Sequence, residues 1–397
     1  MTFPMTDWPR KLQPCIVGVG ETAYAKRGGL DDRTELSLCV EAINAAATNA
    51  GISASEIEGF ASFGFERHEP AVVQAALAAP LLRYASIVWG GGGGGCSGAV
   101  MLAAMAVATG QCRYAVVYRS ICQGQYERYG QYRARPLWGG FVAPYGLMSP
   151  GMMVALTYRR FMMECGTSSE HLADIAMTLR ANAQANPRAV MRGRPLNREE
   201  YFASRMVADP FRLYDCCLET DGACAVIVTT ADLADRLQVP AVPILGAAQA
   251  SGPRWTLGPM GSHNMPIEDY ATTNSKEVAK AIYAQSGLAP GDIDVAQIYD
   301  AFTGLIPMGL TDYGLCERSE VASFIESGAL KQGGRLPINT AGGLHSEAYL
   351  HGLNLVIEAT RQARGDAILQ VPGVRHSLVT SGGGTGHKSA LILGQPN

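Results

Sequence analysis

Two glycine runs and the residues beside them are the first features with chemical consequence. Gly90 to Gly95 is an unbroken run of six glycines, followed at once by Cys96-Ser97-Gly98 and a stretch of small residues from Ala99 to Thr109. A second run, Ser381-Gly382-Gly383-Gly384, follows the strand-like Ser377 to Thr380. Glycine lets backbone amides come close to a bound group, and a helix N-terminus adds unpaired N–H groups and the positive end of its dipole. Two such loops facing each other would hold a carbonyl oxygen or an anion, the arrangement that stabilises an oxyanion or enolate. Cys96 stands near the first turn of its helix, where a lowered pKa would make a thiol nucleophilic. Its plainer reading is a small side chain under the loop. His345, His351, His376 and His387 gather in the C-terminal loops. Their spacing, without acidic partners, does not make a metal site. The six-glycine run satisfies almost any glycine pattern, but no acidic residue closes a following strand about 20 residues on, so a dinucleotide fingerprint is not implied.

The elements that must hold these loops follow a regular rhythm. Pro14 to Gly20 reads as a buried strand, Thr34 to Gly51 as a helix with a C-cap glycine, Ala85 to Trp89 as a strand, Ala99 to Thr109 as a helix and Tyr114 to Tyr118 as a strand. Alternation of this kind predicts a mostly parallel sheet covered by helices. Residues 120–205 differ: they are rich in Arg, Tyr, Met and Pro, with helical runs at Pro150 to Glu164 and Glu170 to Asn186, and read as an inserted helical lid. Regular patterning resumes at Asp215 to Val228. The rhythm then repeats: strands Val242 to Gly246, Val295 to Tyr299, Leu336 to Asn339, Ser377 to Thr380 and Ser389 to Leu393, with helices Thr273 to Gly287 and about Gly352 to Arg364.

Composition limits the alternatives. With 397 residues, 47% hydrophobic and 17% charged, the chain can bury more than one core and is not disordered. A net charge of −3 leaves no basic footprint for nucleic acid or anionic lipid. The ten cysteines lack C-x-x-C spacing and predict reduced thiols, not disulfides or a metal site. Met1 to Arg10 carries Pro4 and Pro9 and does not read as a signal peptide, and no run of 18 apolar residues exists. The expectation is a cytoplasmic protein.

Six segments in order carry a family resemblance: Gly90 to Gly110, Ser204 to Cys217, Asp221-Gly222-Ala223, Tyr299-Asp300-Ala301-Phe302-Thr303, Asn339 to Gly343, and Ser381 to Gly386. Over them the chain resembles the thiolases, in the sterol-carrier-protein or lipid-transfer-protein branch. The resemblance implies an α/β thiolase fold: two pseudo-symmetric βαβαβ halves in a five-layer α-β-α-β-α sandwich with a helical loop domain. It implies an N-terminal half of residues 1–120 plus 205–240, a loop or lid domain of 121–204, and a C-terminal half of 241–397.

The departures from the thiolase pattern define the expected chemistry. Counting back from Gly110 places the thiolase nucleophile position on Gly93, with Cys96 three residues on. The family's Gly-His-Pro histidine falls on Tyr349, the His or Asn before Phe-Thr falls on Tyr299, and the second cysteine falls on Ser381. Acyl transfer then lacks its carrier thiolate. What remains is a CoA-thioester site with N–H donors for an enolate, and an enolate is what retro-aldol cleavage expels. The pattern is similar to the steroid side-chain aldolases of this branch. It implies Tyr299 and Tyr349 as acid/base groups, Gly93, Gly382 and Gly383 as loop donors, and His345, Ser381 and Cys96 as supporting residues. It implies cleavage of a β-hydroxyacyl-CoA, a 17-hydroxy steroid side-chain thioester, to a ketosteroid and a short acyl-CoA such as propionyl-CoA. No cofactor beyond the CoA thioester is implied; the implied partners are a second copy of the chain and a small zinc-containing OB-fold acyl-CoA-binding protein. The competing readings are an acyltransferase using Cys96 and a non-catalytic subunit that binds acyl-CoA or lipid. The segment Tyr126 to Arg135 reads either as a solvated or dimer-facing stretch or as a CoA-phosphate contact.

Overall fold

The computed structural model describes residues 9–64, 66–88, 92–128, 143–147, 149–253, 266–382 and 387–396. Gly383 and most of the 126–135 segment lie outside these residues. The strands are β1 (Pro14–Glu21), β2 (Ala25–Lys26), β3 (Gly59–Phe63), β4 (Tyr84–Val88), β5 (Ala115–Cys122), β6 (Met206–Ala208), β7 (Phe211–Arg212), β8 (Thr220–Thr230), β9 (Val242–Ala250), β10 (Val295–Gln297), β11 (His376–Ser381) and β12 (Lys388–Gly394). Nine of them form one ordered run, β10-β11-β12-β9-β1-β8-β5-β3-β4, with β2 paired to β8 beside it and β6–β7 a separate ribbon. In the run β1 joins two smaller sheets through a short pairing of Cys15 and Ile16 with Pro243 and Val242.

Helices fill the space between and outside the two sheets. The helix Glu35–Ala50 packs on β1, β5 and β8, and Lys276–Ser286 packs on β9 and β12. Cys96–Ala108 and Leu353–Arg364 each touch strands of both sheets and form the middle layer. The order is therefore α-β-α-β-α. The middle-layer helix Cys96–Ala108 buries Cys96, Ser97, Gly98, Ala99, Val100, Ala103 and Ala104, and these small side chains let it approach both sheets closely. Local signals place the outer helix. Thr34 accepts from Ser37 N–H at its start, and Gly51 closes it in a left-handed conformation with φ +71°.

The expectation of a mostly parallel sheet is corrected. Parallel pairs are β3–β4, β3–β5 and β10–β11, but β1–β8, β5–β8, β11–β12 and β9–β12 run antiparallel. β8 enters after a long, largely helical excursion from β5, so it can insert between β1 and β5 in the opposite sense. Leu336 to Asn339 is likewise not a full strand; it contributes one isolated bridge, Ile338 to Ala296. Between β5 and β8 lie Pro150–Cys165, Ser169–Ala185 and Arg198–Ala203. The first two start on side-chain caps, Ser149 and Ser168.

Candidate active site

Tyr299 leaves the end of β10 under tight backbone control. Asn339 accepts from Ile298 N–H at 2.7 Å and donates to Ile298 C=O at 2.8 Å, and Tyr299 N–H donates to Thr380 Oγ1 at 2.9 Å. The next residue, Asp300, is fully buried and accepts from Leu344 N–H at 3.0 Å and from His345 at its backbone and Nδ1, the latter at 3.1 Å. Asp300 thus ties the 299–303 segment to the 342–349 loop. The 204–217 segment anchors it from the other side: the buried Asp215 carboxylate accepts from Thr303, Tyr201 and Arg212 N–H. Tyr349 is clamped at its backbone by Thr220, whose Oγ1 accepts from Tyr349 N–H at 3.0 Å and donates to Tyr349 C=O at 3.2 Å. The result is that the two phenol oxygens, fifty residues apart in sequence, lie 3.0 Å from each other.

Glycine makes room for this pair. A Cβ built on Gly93 would fall among the Tyr299 ring atoms, 2.5 Å from Cζ, and one on Gly352 would lie 3.2 Å from Tyr299 Cδ2. Gly93 precedes the helix Cys96–Ala108, and Gly352 caps the helix Leu353–Arg364. The Tyr299 ring therefore sits between the N-termini of both middle-layer helices. That places the positive ends of two dipoles beside the phenol.

The other expected residues separate into two groups. Gly382 adopts φ +85° and packs on Gly94, whose Cα lies 2.5 Å from a Cβ built there, so the two glycine loops do meet. Gly383 falls outside the described residues. Cys96 is the first residue of its helix but is fully buried, and burial pushes its thiol well up despite a hydrogen bond with Ser381. Ser381 Oγ shares a 2.7 Å hydrogen bond with Ser97 Oγ and accepts from Ser97 N–H. His345 is engaged by Asp300 through Nδ1, while its buried Nε2 has no hydrogen-bond partner among the described residues. A close grouping of Asp31, Cys122 and Asp221 gives little to a metal, because the Asp221 oxygens accept from Gly28, Leu30 and Gly124 N–H.

Three residues beside the pair were not singled out from sequence as a unit. Arg119 Nε donates to His351 Nδ1 at 3.0 Å, Arg119 pairs with Glu66 at 3.1 Å, and the His351 ring meets Tyr349 edge to face with centroids 4.9 Å apart. The signal was an arginine inside the largely apolar Ala115–Ile121 run, which a buried strand admits only when its charge is paired. Behind the loop, Glu347 is buried between the amides of Asn186 and Asn354. Burial, together with the nearby Glu21 charge, pushes its carboxyl up to about 8.

Comparison with known proteins identifies the family of the chain. Residues 261–395 match the thiolase C-terminal domain-like family. The chain is 39% identical, over 96% of its own length and 99% of the relative, to a 17-hydroxy-3-oxo-4-pregnene-20-carboxyl-CoA lyase of Mycobacterium tuberculosis. It is also 39% identical, over 96% and 97%, to a steroid side-chain-cleaving aldolase of Thermomonospora curvata. Among solved structures, the Ltp2-ChsH2(DUF35) aldolase superposes with a TM-score of 0.90 at 37% identity, covering 97% of this chain and 98% of that one. The human mitochondrial 3-ketoacyl-CoA thiolase shares the fold at 15% identity, with a TM-score of 0.68 and coverage of 97% and 99%.

Proposed function

The chain belongs to the thiolase superfamily, in the sterol-carrier-protein branch that contains the steroid side-chain-cleaving aldolases, and from that premise we propose how it acts. It is a carbon–carbon lyase that cleaves a β-hydroxyacyl-CoA. The substrate is a steroid thioester with a tertiary 17-hydroxyl on the β-carbon, and the products are a 17-ketosteroid and propionyl-CoA. The observation that carries this reading is the 3.0 Å contact between Tyr299 and Tyr349 hydroxyls in the absence of any side chain at Gly93.

One tyrosine of the pair takes the proton of the β-hydroxyl. The C–O bond becomes a carbonyl, the Cα–Cβ bond breaks, and its electron pair moves into the thioester as an enolate. The enolate oxygen is held by backbone N–H groups, for which Gly93, Gly382 and Gly383 are the candidates, and protonation at Cα releases the short acyl-CoA. A free phenol has a pKa of about 10, so a second phenol in hydrogen-bond contact and two helix N-termini supply the stabilisation a phenolate needs. The reaction is redox-neutral and its groups are all side chains and amides of this chain. His345 and Ser381 hold the loops, and Cys96 is packing.

The assembly we propose is a homodimer that works with a small acyl-CoA-binding partner containing zinc and an OB fold. Support for a second copy comes from β4, an edge strand with Ile87 44% exposed beside exposed Leu81 and Leu82; an apolar sheet edge is a natural pairing surface. Support for the partner is the ChsH2 component named with the similar aldolase. No described helix is long and apolar enough to cross a membrane, which fits action in the cytoplasm. Residues 1–120 with 205–240 form one half, 121–204 the loop domain and 241–397 the other half; pairing of β8 with β1 and β5, and of β9 with β12, supports that division. The test is incubation of the protein and its partner with the 17-hydroxy steroid CoA thioester. Ketosteroid and propionyl-CoA in equal amounts are expected, and absence of both rejects the assignment.

A further inference from the structure

The tyrosine pair has a buried neighbour with no part in the steps above. His351 follows Tyr349 by two residues, and the two rings meet at 67° with centroids 4.9 Å apart. His351 Nδ1 accepts from Arg119 Nε. An accepting Nδ1 carries a lone pair, so the neutral ring must hold its proton on Nε2. Arg119 does not deprotonate in proteins, and its far end is fixed by Glu66. Burial raises the Glu66 carboxyl, but His68, the Arg119 charge and Ser120 N–H together hold it down to about 2. Burial, then the charges of Arg119 and Arg67, press the His351 imidazole well below its ordinary range. The series His68, Glu66, Arg119, His351 cannot carry a proton, because arginine interrupts it. What it can do is fix a tautomer and a ring orientation.

The backbone is bent to allow this contact. His351 has φ +52° and Gly352 φ +94°. Left-handed backbone at a non-glycine residue costs energy and is retained where the surroundings enforce it. Here those surroundings are Arg119 on one side and the Tyr349 ring on the other.

We propose that His351 is a positioning residue for Tyr349: Arg119 fixes its imidazole as the Nε2–H tautomer, and that ring orients the phenol for proton transfer. The proposal rests on the lyase reading of the tyrosine pair. A hydrogen bond into Nδ1 polarises the ring and makes its remaining edge more positive, which favours negative charge developing on the neighbouring phenol.

The discriminating variant is His351→Asn. Asparagine sets its amide oxygen close to where Nδ1 lies, so Arg119 keeps an acceptor, and asparagine tolerates left-handed backbone better than most residues. Only the part of the ring facing Tyr349 is lost. We expect kcat for thioester cleavage by the partner-bound protein to fall by about tenfold or more, with KM changed by less than about twofold and the thermal midpoint unchanged. Wild-type kcat in a folded H351N protein overturns the proposal. If that variant does not fold, nitrogen NMR of histidine-labelled full-length protein decides. A bare Nδ1 and protonated Nε2 across pH 6 to 9 supports the assignment, and protonation of Nδ1 in that range overturns it. Failure of the wild type to cleave the thioester would instead reject the lyase reading, and the tautomer measurement does not depend on turnover.

Discussion

The Tyr299 ring occupies the space that any side chain at residue 93 would need: a Cβ on Gly93 falls 2.5 Å from Tyr299 Cζ. Glycine at 93 and tyrosine at 299 are therefore sterically linked. A side chain at 93 and the Tyr299 ring cannot both be seated as they stand: the ring or the Gly92–Gly95 turn would have to shift. Residue 93 is held to glycine by the volume of the Tyr299 ring.

This exclusion predicts a coupling between the two positions. Gly93→Ala should destabilise the wild-type protein by about 1–3 kcal/mol, the usual cost of overpacking. In a Tyr299→Ala background the same substitution should cost less than half as much. A double-mutant cycle on urea unfolding measures the difference, and additive losses would show that the ring and residue 93 do not compete for space.

Tyr299→Phe and Tyr349→Phe each remove one oxygen from a pair in hydrogen-bond contact and leave the rings in place. Each should lower kcat by about 10²-fold or more, the range for loss of an acid/base group, while KM stays near the wild-type value. Steady-state kinetics on the thioester check this. Turnover preserved in either variant removes that tyrosine from the proton transfers.

Cys96 is fully buried and its thiol is pushed well up by burial, which opposes its use as a nucleophile. Cys96→Ala should retain turnover within about threefold, and intact-mass measurement during turnover should show no added acyl group on the wild type. A mass increase lost in Cys96→Ala would restore the acyltransferase reading.

Glu347 gives a pH signature to stability. Its folded carboxyl stands at about 8 through burial and the Glu21 charge, against about 4.3 in an unfolded chain. A raised folded pKa means the native state keeps a proton that the unfolded state releases, so the contribution is full below about pH 4.3 and is lost as pH rises toward 8. Relative to Glu347→Gln, the wild type should lose on the order of 2–4 kcal/mol of unfolding free energy between pH 5 and 8. Denaturant titrations at several pH values test this; parallel curves for the two proteins would contradict it.

The amino-acid sequence alone determined those features that depend on neighbouring residues. Thr34 and Gly51 cap a helix through contacts three and four residues away, the small residues after Gly95 mark a helix confined on both sides, and the ordered motifs singled out Tyr299, Tyr349 and Gly93, which the fold brings together. Tertiary structure alone decided the sense of β8, since strand direction depends on how a chain returns from a long excursion and not on alternation within the strand. It also decided the 3.0 Å spacing of the two phenols and the reach of Arg119 to His351 across 232 residues of sequence. Those distances are products of long-range packing around buried charges, and no local pattern of residues encodes them.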